Sequence, residues 1–403
     1  MKQSPIEQLK STHPELEVWW DSSPLIFKKW VKKMVDHSAP EEKEEVEAQL
    51  SRLLNLEEPA KSVFTGCTTN PPLSLTAVQS DPDFWNEWID QLILDNPDKT
   101  LKELFWLTYK EVLRRGSEIF KPVFEASGGR YGFVSAQLDP RLFTEVDIMV
   151  RDAEELRAIN PNIMIKVPGS TQGIEVLKIL ASKAIPTNTT TCFSVPQIMA
   201  SARATAEGIK LAQKAGLDIS KWRAVITHMI GRLTENKELD IQAERRGIHL
   251  SWEEKHWWGI MTFRHAYRLL SDYGMPSKLL ACSMRDGPLS GGRYRFWDLE
   301  KIAGGAIVYT CPPYVLEPLY EKCKGIIFYP EIEKDDIPPD VLWKISKIPY
   351  CIQASDENGM EVDQFNTHPA TIDTVANFSK ASAGLESYVG ERMKIVTGSK
   401  GAI

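Results

Sequence analysis

Short runs rich in apolar and β-branched residues recur along the chain: LEVWWD (16–21), SVFTGCTTN (62–70), YGFVSAQLD (131–139), NIMIKVP (162–168), PTNTTTCFS (186–194), RAVITHM (223–229), KLLACSM (278–284) and GAIVYTC (305–311). Each has the length and composition of a buried strand. Between them, segments such as TQGIEVLKILASKA (171–184) and VPQIMASARATAEGIKLAQKA (195–215) repeat apolar positions every three or four residues, which is the spacing of one buried helix face. Strand and helix alternating eight times over predicts an α/β protein, a (β/α)8 TIM barrel with additional helices. A doubly wound open sheet produces the same local pattern, but the Gly-rich turn of a dinucleotide site is missing after the first run.

Two segments exceed a minimal barrel. Residues 80–125, with Trp85, Trp88, Leu92, Phe105, Tyr109 and Val112, have helical spacing and read as an insertion between the second and third strands. Residues 312–403 form a C-terminal extension. It is first rich in Pro and acidic residues (EIEKDDIPPD), then helical through Ile372, Val375, Phe378, Leu385 and Val389. This last helix is expected to pack across the barrel, and residues 1–403 to form one barrel domain.

Composition changes this picture little. Hydrophobic residues at 42% and charged residues at 26% over 403 positions supply a large core. A formal charge of -7 with no basic run argues against nucleic acid as a partner. The polar start MKQSPIEQLKSTHPE, and the lack of any run of about 18 apolar residues, argue against a membrane partner and lead to the expectation of a cytoplasmic protein. Six cysteines lie far apart and read as reduced core residues; no metal-ligand spacing joins them to the seven histidines, so no metal and no cofactor is expected. The tryptophans of WEEKHWWG (252–259) either pack on the barrel or mark an interface, which leaves a homodimer open.

Polar side chains closing strands matter most, because the active face of such a barrel lies at the strand C-termini. Nearly every run supplies one: Asp21, Thr69 and Asn70, Gln137 and Asp139, Lys166, Asn188 and Thr190, Thr227, Ser283 and Arg285. Lys166 interrupts an otherwise apolar run. Two readings compete, a lysine that snorkels or is paired with an acid, and a desolvated amine whose charged form is disfavoured. Bringing its pKa from about 10.4 to near 7 costs the cation ~4 kcal/mol and frees the amine to attack a carbonyl carbon. Asp21, followed by Ser22, Ser23 and Pro24, could equally be a helix cap, TTNPP plain turn chemistry, and Arg232 and Arg285 solvated or paired with Glu235 and Asp286.

The pieces WDSSP, TTNPPL, SAQLDPRL, IKVPGSTQGIEVLK, IPTNTTTCFS, ITHMIGRL, ACSMRDG and DTVANF, in this order from about residue 16 to 395, resemble the transaldolase family of class I aldolases. The resemblance implies transfer of a dihydroxyacetone unit from a ketose phosphate to an aldose phosphate through a Schiff base on Lys166. It assigns general acid/base work to Asp21, water positioning to Thr190, and the hydroxyl contacts of small-molecule sugar phosphates to Asn70 and Asn188. Thr227 and Met229 fall in the substrate set, and Arg232, Ser283 and Arg285 in the phosphate set. The chemistry agrees: a protonated imine is an electron sink for the carbanion left by C–C cleavage, and guanidinium forks match phosphate oxygens.

Two positions depart from the family pattern. SAQLD puts Gln137 where most transaldolases carry glutamate, as in the fructose 6-phosphate aldolase branch. THMIGR puts Met229 where transaldolases usually carry phenylalanine and that branch tyrosine. An amide orients water but does not relay its proton as a carboxylate does, so either proton transfer in imine formation and hydrolysis is slower or Asp21 carries it alone. His228 points away from Thr227 by strand alternation and reads as packed. A fructose 6-phosphate aldolase-like or specialised sugar-phosphate enzyme is the first alternative, and a catalytically weak sugar-phosphate binding protein the second.

Overall fold

The computed structural model describes residues 2–398. Its strands are β1 (Glu17–Asp21), β2 (Phe64–Thr68), β3 (Phe133–Gln137), β4 (Ile163–Pro168), β5 (Thr187–Cys192), β6 (Ala224–Met229), β7 (Ser277–Cys282) and β8 (Val308–Cys311). All pair in parallel and in sequence order, and β1 closes the sheet on β8 through Glu17↔Val308 to Trp20↔Cys311. The result is the expected (β/α)8 barrel. Seven strands fall inside their sequence runs and β7 starts one residue ahead of its own, at Ser277, because residues apolar on both faces are what a sheet covered by helices needs.

The barrel is plugged at its N-terminal end by Glu17. Its carboxylate accepts from the Trp19 indole (3.1 Å) and Thr65 (3.1 Å) and is paired with Arg223 and Lys278. The two cations hold this buried acid down to about 2. Trp19 also explains Gly66 on β2, since a Cβ there would lie 2.5 Å from the indole ring.

The 80–125 insertion resolves into two helices of different standing. Leu101–Ala126, started by a Thr100/Glu103 capping box, lies against β2 and β3 and is therefore a barrel helix. Pro82–Asp95 packs chiefly on other helices and is the true addition. The helix Pro369–Gly398 packs over Pro71–Gln79, Pro82–Asp95 and Leu101–Ala126 and reaches β5, burying Thr371, Thr374, Phe378, Leu385 and Val389 at helical spacing. A short hairpin, Leu289–Ser290 with Arg293–Tyr294, follows β7; its two-residue strands carry too little pattern to be read in advance.

The six cysteines are free and buried. Trp258 is fully buried and donates to Ser355 (2.8 Å), while Trp252 stacks on His256 at 3.6 Å, so these aromatics pack onto the molecule. Among the described residues no helix is long and apolar enough to cross a membrane, and no cluster of metal-ligating side chains forms.

Candidate active site

Parallel pairing sets Gln137, Lys166 and Asn188 side by side on β3, β4 and β5 (Gln137↔Lys166, Lys166↔Asn188). Residues in register point to the same side of a sheet, so the amine has an amide on either flank. All three are buried, Lys166 with 3% of its surface exposed. Lys166 Nζ donates to the Thr69 carbonyl oxygen at 3.0 Å. Burial pushes the amine below its usual range, and the Asp21 charge opposes this. Lys166 thus does not snorkel, and the group that holds it is a neutral carbonyl.

Asp21 ends β1. Its Oδ1 accepts from Thr68 Oγ1 at 2.6 Å and its Oδ2 contacts Cys282 Sγ at 3.7 Å. Burial raises its carboxyl above the ordinary range, and Lys166, Thr68 and Cys282 pull it back. It caps no helix: Ser23 caps the following turn, accepting from Leu25 N. The carboxyl is therefore free to face the barrel interior.

Asn188 is held on both sides, its Nδ2 donating to Ser135 Oγ (3.0 Å) and its Oδ1 accepting from Thr227 Oγ1 (2.7 Å). Gln137 Oε1 and Thr190 Oγ1 are buried with no protein partner among the described residues. A buried polar atom left unpaired costs roughly 1–3 kcal/mol, a cost that Thr187 and Thr189, on the same strand as Thr190, bear as well.

Above this layer opens a cavity of about 810 Å³. Asp21, Asn70, Met229, Arg232, Ser283 and Arg285 line it. Lys166, Gln137, Asn188, Thr190 and Thr227 do not line it, Gln137 bordering a separate small pocket with Tyr109 and Asp139, and Asp21 connects the cavity to Lys166 through its charge. Asn70 combines both readings of TTNPP: its Oδ1 caps Pro71–Gln79 by accepting from Leu73 N (3.0 Å), and its side chain still borders the cavity. Asp139 does not join the site; it caps the turn at Pro140–Leu142 and pairs with Arg141. His228 is packed, with Nε2 on the Phe193 carbonyl (3.0 Å), and burial lowers it to about 4.

The two arginines differ. Arg285 grips Glu235 with both ends of its fork (2.9 and 2.6 Å) and reaches Ser283 O and Oγ with Nη1. Arg232 forms no ion pair among the described residues; it donates to Thr374 and Asn377 of the C-terminal helix and lies over the Phe378 ring at 5.2 Å. Asp286 binds Tyr294 and Lys322 instead of either arginine. The crossing of β6 and β7 is tight here. Ser283 takes φ 59, a strained value for a side-chain-bearing residue, and a Cβ on Gly231 would meet the Ser283 carbonyl at 2.2 Å.

Sequence reasoning missed Cys282, Thr68, Thr310 and Tyr314. Tyr314, in the first turn of the helix Pro313–Glu321 that follows β8, borders the cavity with 52% of its surface exposed. Its position three residues past a strand end was the available signal.

A parallel eight-stranded barrel with a desolvated lysine on β4, a carboxyl ending β1 and guanidinium groups after β6 and β7 is the architecture of a lysine-centred barrel site. A family model described as Transaldolase/Fructose-6-phosphate aldolase matches residues 48–388. The chain belongs to this family. It is 28% identical over 184 residues to Transaldolase 1 of Streptomyces avermitilis, covering 45% of this chain and 47% of that protein. It is 30% identical over 209 residues to the transaldolase of Mycobacterium ulcerans (51% and 54%) and 29% over 177 residues to Transaldolase 1 of Streptomyces coelicolor (43% and 45%). The chain spans about half the length of the curated relatives it matches.

Proposed function

We propose that the protein is a transaldolase-type transferase that moves a dihydroxyacetone unit from a ketose phosphate to an aldose phosphate. The observation that carries this reading is the buried Lys166 amine, held by a neutral carbonyl and coupled to the cavity carboxyl of Asp21. The uncharged amine adds to the ketone carbonyl, and loss of water gives a protonated imine. Asp21 takes the C4 hydroxyl proton as the C3–C4 bond breaks, the electron pair passing into the imine; it returns a proton when the acceptor aldehyde adds. Asn188, Gln137 and Thr190 provide donors and acceptors for substrate hydroxyls and for the water of imine chemistry. Arg232, Arg285 and Ser283 hold the terminal phosphate. Met229 packs against the chain of the sugar.

Gln137 favours a second reading on the same imine, aldol cleavage that releases dihydroxyacetone. An amide beside Lys166 relays no proton, which changes how the imine is resolved by water. Borohydride reduction in the presence of fructose 6-phosphate tests the shared step, with a three-carbon mass expected on Lys166. No adduct there overturns both readings. Product formation that requires erythrose 4-phosphate selects transfer; dihydroxyacetone appearing without an acceptor selects cleavage.

A further inference from the structure

Asp21 must hold a proton at one stage of the reaction proposed above and none at another, with its side chain buried yet bordering the cavity. A line of hydroxyls meets its Oδ1. Thr68 Oγ1 is 2.6 Å from Asp21 Oδ1, and the same oxygen is in hydrogen-bond contact with Thr310 Oγ1. Thr68 on β2 and Thr310 on β8 flank β1 from its two sides, and both are buried, with 1% and 0% of their surface exposed.

We infer that Thr310 and Thr68 form a reversible hydroxyl chain that orients the Asp21 carboxyl in both of its protonation states. With Asp21 ionised, Thr310 donates to Thr68 and Thr68 donates to Oδ1, so the chain points at the charge and each bond polarises the next. After Asp21 has taken the C4 hydroxyl proton on Oδ1, its O–H donates to Thr68 Oγ1 and the Thr68 hydrogen turns to Thr310 Oγ1. Only two hydroxyl hydrogens rotate. No proton leaves the chain and no heavy atom moves; the Thr310 hydrogen, displaced from Thr68, turns away from it. Valine in either place would keep the shape and break the sequence of donors.

Thr68 and Thr310 are thus positioning residues, acting on the substrate only through Asp21. The inference rests on the imine reading, and the two are separable by experiment. Thr310→Val and Thr310→Ser are compared with the unaltered enzyme in the pH dependence of C–C cleavage, in borohydride trapping and in thermal unfolding. The expected result for Thr310→Val is an acidic limb moved upward by about half a pH unit or more, a lowered kcat with KM little changed, and trapping retained; Thr310→Ser restores the limb. Thr68→Val, which removes the direct bond, moves the limb further in the same direction. A Thr310→Val profile that superimposes on that of the unaltered enzyme overturns the inference. Should Thr310→Val unfold, the serine variant and Thr68→Val decide, since Thr68→Val with an unmoved limb overturns it equally. Failure of the unaltered enzyme to form the adduct overturns the imine reading instead.

Discussion

Lys166 Nζ donates to the carbonyl oxygen of Thr69 at 3.0 Å, so an amine in the wall of the barrel is fixed by a group that carries no charge. A carboxylate in that place would hold the ammonium form. A carbonyl orients the nitrogen and leaves burial to disfavour the cation. That one relationship joins β4 to the end of β2, and the charge of Asp21, which borders the cavity, reaches the amine.

Lys166→Met should abolish borohydride-trapped adduct and turnover while leaving the protein as stable as before or more so. Removing a desolvated amine and substituting a chain of similar length replaces a costly buried group with an apolar one. Mass spectrometry of the trapped protein and thermal unfolding in parallel check this. A marked loss of stability would show that the lysine holds the fold.

Asp21→Asn should lower kcat by about 100- to 10,000-fold, the range for losing a general acid/base, and still permit imine formation on Lys166. Burial raises the Asp21 carboxyl, so the acidic limb of the unaltered enzyme should stand above the usual aspartate range, and activity should fall as pH drops through it. Single-turnover trapping beside steady-state rates separates the two steps.

Glu235→Gln should strengthen the binding of inorganic phosphate in the cavity. The bidentate Glu235–Arg285 pair now occupies one of the two guanidinium groups, and removing the acid frees that fork and one opposing charge. A tenfold lower inhibition constant for phosphate is about 1.4 kcal/mol. Arg232→Lys should act the other way, raising KM for the sugar phosphate, because lysine lacks the fork and its fit over Phe378. Unchanged phosphate inhibition in both variants would remove the arginines from the anion site.

Acid should destabilise the fold between about pH 6.5 and 4. His228 and His368 are both lowered to about 4 by burial, and His368 stacks between Phe193 and Tyr350 with neither ring nitrogen partnered among the described residues. The unfolded chain binds these protons first, so the stability they contribute is full above the ordinary histidine value and is lost as pH falls toward 4. Denaturant unfolding of His368→Phe should show a flatter pH dependence over that window than the unaltered protein.

The rim of the Glu17 cluster gives a contrasting case. Glu17→Gln should destabilise by roughly 3–5 kcal/mol, because Arg223 and Lys278 would be left against the neutral end of the barrel. Its stability contribution is present above the unfolded carboxylate value and is lost as pH falls through about 2. Urea unfolding of the variant beside the unaltered protein measures the difference.

The fold was largely legible in the chain, because eight apolar runs separated by helical periodicity state the same alternation locally that the barrel realises globally. Lys166 was legible for the same reason: an apolar strand rarely tolerates a buried ammonium without a purpose. Asp21, Asn70, Ser283 and Arg285 were legible as polar positions closing strands, whereas Met229 and Arg232 were reached only through the family resemblance. The reading of residues 80–125 was coarser, since helical spacing alone does not say whether a helix meets the barrel or another helix. The choice between cap and acid for Asp21, between free and paired for each arginine, and the parts played by Cys282, Thr310 and Tyr314 were not legible.

The sequence by itself therefore determined the period of each element, the order of strands and the residue types that end them, because these are properties of short stretches of chain. Tertiary structure alone decided which neutral group faces Lys166, which arginine Glu235 occupies and which hydroxyls stand behind Asp21. Those contacts join strands dozens to hundreds of residues apart, and their distances are set by barrel closure and register, which no local pattern encodes.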